Sequence, residues 1–349
     1  MDTIGIGIIG SGGIARGAHM PAYRALQEQG VRMVAVADVS EEAAKKAASE
    51  FDVPHVYNDY RDLLKRDDID AVSVCTPNFL HLHPTIEALE AGKHVLVEKP
   101  LAMNTQEGRQ MVEAARRTGR KLQVGFMQRF GGGPQALKRF IDAGDMGDIY
   151  YARAQALRRR GIPAWGVFTQ KEKQGGGPLI DIGVHILDLT LWLMGHPKPV
   201  SASGITYTKF GTRPGLVGLM GQWDPSIYTV EDYGIGFVRF ENGATLTLEA
   251  SFAANLEKDV FNTDLMGTEG GASTSPLRMF FERNQTLIDA TPVFLPNVKM
   301  HEAEIRAFVQ AIRDDTEVLV PGEQGLMVTE ILDAIYRSGE EGREVSIPG

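Results

Sequence analysis

The stretch IGIIGSGGIARGAH, Ile6 to His19, constrains the fold more than any other part of this chain. The apolar run Ile4–Ile9 reads as a strand, and Gly10-x-Gly12-x-x-Ala15 follows it at the start of a helix predicted over Ala15–Gln29. A glycine pattern alone is weak evidence; a strand before it and a helix after it give it meaning. Gly10 permits the tight turn, Gly12 lets backbone approach a pyrophosphate, and Ala15 lets helix and strand pack closely. With Ser11, Gly13 and Ile14, the turn offers amide groups and the positive end of a helix dipole to phosphates.

Asp38 completes the pattern at the end of MVAVAD. A carboxylate at the tip of the second strand accepts both adenosine-ribose hydroxyls and repels a 2′-phosphate. Val39 and Ser40 follow, with no arginine beside Asp38 to welcome that phosphate, so the expected cofactor is NAD rather than NADP.

Further strands are predicted at Val31–Ala37, Ala71–Val74, His94–Val97 and Leu122–Val124. Helical segments separate them at Glu41–Glu50, Tyr60–Lys65, Pro84–Ala91 and Thr105–Thr118. This alternation implies βαβ units and a doubly wound parallel sheet, an α/β Rossmann domain over residues 1–126. Beyond residue 126 the pattern changes. Glycine loops at 131–134 and 175–178 enclose a helix, Gln135–Ala143, and a strand, Ile149–Ala156; a helix, Asp181–Met194, follows. Val200–Lys209, Tyr233–Phe240, Ala244–Phe252 and Val260–Met266 read as strands that pair as consecutive antiparallel neighbours. Helices Glu302–Arg313 and Gly325–Ser338 close the chain and could pack back on the first domain. Residues 127–349 are thus expected to form an α+β domain with an open, mainly antiparallel sheet.

The formal net charge is −9, and Arg158-Arg159-Arg160 is the one dense positive cluster, so neither nucleic acid nor an anionic membrane is an expected partner. No apolar run of spanning length and no leader-like start around Asp2 is read. Cys75, the single cysteine, sits in the apolar run AVSVCTP and allows no intrachain disulfide. These readings together point to the cytoplasm.

Chemistry concentrates in two places. In GGGPLIDIGVHILDLTLWLMG, residues Asp181, His185 and Asp188 share one helical face. Neutral imidazole can take a hydroxyl proton while a carboxylate orients the ring and stabilises the imidazolium. Other readings stay open: Asp181 as the helix N-cap, His185 as a core histidine, or Asp-x3-His-x2-Asp as metal ligands, the last disfavoured without a second histidine at matching spacing. The second place is Lys93 to Met103, KHVLVEKPLAM, where a buried strand ends in Glu98-Lys99-Pro100. Carboxyl ends of strands line the ligand crevice of an open parallel sheet. Lys99 could there stabilise negative charge developing on a substrate oxygen. Gln128 and Arg129, after the last strand of the first domain, could reach a substrate. In RRRGIPAW, Trp165 could stack on a sugar ring, or be core beside solvated loop arginines.

In order along the chain, GSGGIA, CTPNFLH, AGKHVLVEKPLA and GGGPLIDIGVHILDL resemble the Gfo/Idh/MocA oxidoreductase family, and the likeness runs through YRSGEEGREVSIP near the end. The resemblance implies an NAD(P)-dependent sugar or polyol dehydrogenase whose second domain carries an oligomer interface, here a homodimer or homotetramer through the C-terminal sheet. It implies that Lys99 touches the substrate oxygen, that His185 is the acid/base, and that Asp181 is its partner and also contacts substrate. It places Glu98 by the nicotinamide ribose and Thr76, Pro77, Asn78 and His81 along the cofactor. It further implies that the Pro100 bond is cis and that Asp188 is structural. Two rival uses of the same parts are an NAD-retaining redox glycosidase and a ligand-sensing nucleotide-binding protein without catalysis.

Overall fold

The structure is a computed structural model that describes residues 3–348; Asp2, part of the N-terminal reading, lies outside them. The chain forms two compact units. One runs to Phe130 and takes in Lys299–Leu326; the other comprises Gly131–Val298 and the chain from Met327 onward.

In the first unit the strands are β1 (Ile4–Ile9), β2 (Val31–Ala37), β3 (His55–Tyr57), β4 (Ala71–Val74), β5 (His94–Val97) and β6 (Leu122–Val124). They form a parallel sheet in the order β3-β2-β1-β4-β5-β6. Every residue of β1 and β4 is buried, as a central strand covered on both faces requires. Strand order reverses between β1 and β4, and the carboxyl ends flanking such a switch point are where open α/β sheets bind ligands. Ile4, Ile6, Ile8, Tyr23, Val36 and Leu96 share one core cluster with Ile305, Phe308, Val309 and Val318 from the returning segment. Each such aliphatic side chain contributes about 1.5–3 kcal/mol when fully buried.

Side-chain caps fix where the helices start. Ser40 Oγ accepts from Ala43 N at the head of Glu41–Phe51. Asn104 Oδ1 accepts from Glu107 N at the head of Thr105–Thr118, while Glu107 Oε2 accepts from Met103 N. The helix expected over Ala15–Gln29 is instead three pieces: a π turn, Ala15–His19, a short α-helix, Met20–Arg24, and a 3₁₀ turn, Gln27–Gln29. Pro21 lacks the N–H that would continue the α ladder upstream, and the backbone widens there.

In the second unit the strands are β7 (Ile149–Leu157), β8 (Pro199–Tyr207), β9 (Tyr233–Phe240), β10 (Thr245–Ser251), β11 (Val260–Gly267), β12 (Gly270–Thr274), β13 (Leu277–Arg283), β14 (Thr286–Ala290) and β15 (Val345–Ser346). Their order is β14-β13-β12-β11-β7-β10-β9-β8-β15. The expectation of consecutive neighbours fails at one place: β7 lies between β10 and β11, parallel to β10 and antiparallel to β11. Its alternation explains the central place, because Ala152, Ala154 and Ala156 are fully buried against the covered face. The helix Val184–Leu193 packs on β7 and β11. The expectation that no apolar run reaches spanning length also needs correcting. Lys171–Leu193 is long and apolar enough by composition, and 94% of its most apolar 18-residue window is buried inside the protein.

Candidate active site

Gly10 follows β1 with φ +89°, and a Cβ there would stand 2.8 Å from the carbonyl carbon and oxygen of Cys75. The turn can therefore close against β4 only with glycine. A Cβ at Gly12 or Gly13 would meet nothing within 4 Å, so the space over these amides is open, as a bound pyrophosphate needs. Ile14 is exposed beside it. Ser11 is buried, and both its N (2.7 Å) and its Oγ (2.8 Å) donate to Asp38 Oδ2; Ser40 N donates to Oδ1 at 2.9 Å. Three of roughly four acceptor positions on the carboxylate are thus engaged, leaving about one for a ribose hydroxyl, fewer than its sequence position suggested. These residues fit NAD.

The segments after β4 and β5 are tied together. Pro77 leads into the 3₁₀ turn Asn78–Leu80, Asn78 is buried, and Thr76 Oγ1 donates to Leu80 O at 3.2 Å. The His81 ring nitrogens lie 2.8 Å from Pro100 O and 3.0 Å from Thr76 O. Burial holds its pKa below the ordinary histidine value against those carbonyls. Being fully buried, His81 has no face to offer a cofactor, contrary to the role the resemblance implied; it braces the two loops. The Lys99–Pro100 bond is cis, and Lys99 N donates to Glu98 Oε2 at 3.2 Å.

In the second unit, Asp181 lies inside a π turn, Leu179–Gly183, whose cap position is Pro178, so it is not an N-cap. His185 follows on Val184–Leu193, where every other residue is buried and His185 alone is half-exposed. It is therefore not a core histidine, whereas Asp188 is fully buried. Arg158, at the end of β7, brings its guanidinium within 3.6 Å of Asp181 Oδ2. Arg159 is exposed, its backbone N donating to Asp259 Oδ1, and the half-buried Arg160 guanidinium donates to Ala254 O and Asn255 Oδ1, so both are anchored to the 254–259 loop. Among the described residues no cluster of His, Cys, Asp and Glu has metal-holding geometry.

The turn carrying Asp181 is held by a carboxylate that the sequence did not advertise. Glu231, buried, accepts from Gly177 N (2.9 Å), Leu179 N (3.2 Å) and Tyr336 Oη (2.7 Å). Burial raises its pKa and these donors oppose the rise.

The predicted substrate contacts divide. Trp165 is 54% exposed with Phe168 edge-on at 6.2 Å, so the core reading fails and its face is available. Gln128 is half-buried in the turn Met127–Phe130. Arg129 is fully buried, with Nη1 donating to Leu319 O and Gln324 Oε1; its charge is spent inside the first unit, not offered to substrate.

Sequence reasoning also passed over His19. It is fully buried, its Nε2 lies 2.7 Å from Glu98 Oε1, and its Nδ1 lies 3.1 Å from Ser73 Oγ. A polar side chain on the covered face of the fingerprint helix was the available signal.

Two family models match the chain. Residues 4–126 match "Oxidoreductase family, NAD-binding Rossmann fold", and residues 138–347 match "Oxidoreductase family, C-terminal alpha/beta domain". A D-glucoside 3-dehydrogenase of Escherichia coli K12 is 36% identical over 343 residues, covering 98% of this chain and 97% of that protein. A scyllo-inositol 2-dehydrogenase (NAD(+)) of Bacillus subtilis is 29% identical over 325 residues, covering 91% and 89%. A levoglucosan dehydrogenase solved with NADH and levoglucosan superposes over all of both chains, with a TM-score of 0.86 and 25% identity.

Proposed function

The chain belongs to the Gfo/Idh/MocA oxidoreductase family, and from that premise we propose that it is an NAD-dependent dehydrogenase of a ring hydroxyl on a sugar, glycoside or cyclitol. One observation carries the reading: His185 is the sole half-exposed residue on an otherwise buried helix, directly after the π turn that bears Asp181. An apolar helix has no packing reason to present an imidazole there.

NAD, held by the Gly10–Ile14 turn and Asp38, supplies the hydride acceptor. His185 takes the substrate hydroxyl proton as the C–H bond breaks. Asp181 orients the imidazole, and Arg158 steadies Asp181 in turn. The Lys99 ammonium donates to the reacting oxygen and stabilises the charge that develops on it. Trp165 supplies an apolar face for a pyranose or cyclitol ring. Likeness to a D-glucoside 3-dehydrogenase makes glycosides the first substrates to try.

The test is a panel of free sugars, glycosides and cyclitols followed by NADH absorbance, with His185→Ala beside the unsubstituted protein. The variant should lose on the order of 10²–10⁴ in kcat while NAD affinity stays within about twofold. Near-normal turnover by His185→Ala removes the assignment. Release of an aglycone without net NADH assigns the redox glycosidase reading instead. Assembly through the outer face of the second unit's sheet is part of the proposal, because Ile205, Tyr207 and Phe280 stand there 36–43% exposed.

A further inference from the structure

We propose that His19 is a positioning residue for this reaction: a buried imidazolium that holds the Glu98 carboxylate ionised and so fixes the strand end from which Lys99 and the nicotinamide side of NAD are placed. The inference rests on the reading of Glu98 and Lys99 given above.

Glu98 is 7% exposed; its Oε1 faces His19 Nε2 at 2.7 Å, and its Oε2 accepts from Lys99 N at 3.2 Å. A carboxylate taken out of water needs a charge of opposite sign in contact, or it takes up a proton. His19 supplies that charge. Its Nδ1 faces Ser73 Oγ at 3.1 Å, and Ser73 Oγ pairs with Tyr23 Oη at 2.8 Å. An imidazolium donates from both nitrogens, and this arrangement gives each of them an acceptor. One continuous set of contacts therefore links Tyr23, Ser73, His19, Glu98 and the backbone of Lys99, all within the first unit.

Titratable groups face the pair from every neighbouring element, and burial keeps two of them, Tyr23 and Cys75, uncharged at neutral pH. Tyr23 lies on the fingerprint helix, Cys75 follows β4, Lys99 follows β5, and His301 and Glu304 lie on the helix Met300–Arg313. Burial works against ionisation of both partners. For His19, contact with the Glu98 carboxylate opposes burial and raises the pKa; Cys75, a buried thiol whose own pKa burial raises, adds no charge at neutral pH. For Glu98, burial is outweighed by His19, with Lys99 and His301 adding, and its pKa falls to about 2. The pair thus stays ionised from acid into neutral solution. Without His19, the buried Glu98 has Lys99 and His301 for support and protonates at higher pH.

The test uses the full-length protein. In the NAD-free protein, the ¹⁵N imidazole shifts of His19 should read as imidazolium at neutral pH and as neutral imidazole in Glu98→Gln. His19→Gln, with His19→Asn as a second variant should the first not fold, should weaken NAD binding measured by calorimetry on the order of thirtyfold, the loss of one charged hydrogen bond. The variant's kcat/KM for NAD should also gain an acid limb near neutral pH that the unsubstituted protein lacks. Adding Glu98→Gln should abolish that limb and cost little more than Glu98→Gln alone. A neutral His19 at neutral pH, a pH profile of His19→Gln that superimposes on the parent, or losses that simply multiply in the double variant each overturn the proposal. If Glu98→Gln leaves NAD affinity and turnover untouched, the placement of Glu98 at the nicotinamide falls, and the proposal falls with it. An impaired Glu98→Gln beside a silent His19→Gln removes the His19 role alone.

Discussion

A single methyl group decides whether the nucleotide turn can close. At Gly10 both the φ of +89° and the 2.8 Å approach to Cys75 exclude a side chain. Gly10→Ala should destabilise the protein by about 1–3 kcal/mol in thermal unfolding and weaken NAD binding at the same time. Asp38→Ala should raise kcat/KM for NADP relative to NAD; an unchanged ratio would assign ribose recognition elsewhere. His94 gives a pH prediction of definite sign. Burial, then Arg120 and Lys121, lower its pKa from 6.5 to about 4. Below pH 6.5 the unfolded chain binds a proton that the folded chain refuses, so stability falls as pH drops and levels off below about 4. Screened by solvent at a ring that is only partly buried, the full loss is about 1–2 kcal/mol. His94→Gln, which can still accept from Lys121 N, should flatten that stretch of the stability curve in denaturant titrations across pH. The glycine requirement at Gly10 was legible because its meaning lies in the chain neighbours. His19 was not, because its meaning lies in Glu98, 79 residues away.

Among the elements, the π turn Leu179–Gly183 depends most on groups remote in sequence. Glu231 takes two of its leading amides, and a Cβ at Gly177 would stand 2.2 Å from Glu231 O. Glu231→Ala leaves those buried amides and Tyr336 Oη without their acceptor, a loss on the order of 3 kcal/mol. Its kcat should fall through displacement of Asp181 and His185 while NAD affinity holds; unfolding curves and calorimetry separate the two effects. Elements with a clear apolar run and a local stop were read closely from sequence: Thr105–Thr118 and Leu122–Val124 stand as predicted. β12 to β14 were missed, being short, glycine-bearing or largely exposed at the sheet edge. The insertion of β7 between β10 and β11 was hidden for another reason. Periodicity shows which face of a strand is covered, but not which strand lies beside it.

At the scale of the molecule, both fold classes followed from the order of elements, and the outer face of the larger sheet carries the assembly prediction. Tyr207 pairs with Tyr233, and Ile205 with Ile235, across β8 and β9. The protein should run as a dimer or tetramer in light scattering, and Ile205→Glu should shift it toward monomer without loss of NAD affinity; a monomeric parent removes the interface. The destination of Lys299–Leu326 was not legible, since an amphipathic helix does not declare which core it completes. That return has a consequence for how the protein is made. On a ribosome the nucleotide fingerprint emerges long before Ile305, Phe308, Val309 and Val318, which follow nearly all of the second unit. Residues 1–130 made alone should therefore expose apolar surface and aggregate. The first sheet must wait through about 170 intervening residues, Gly131–Val298, for the last side chains of its own core.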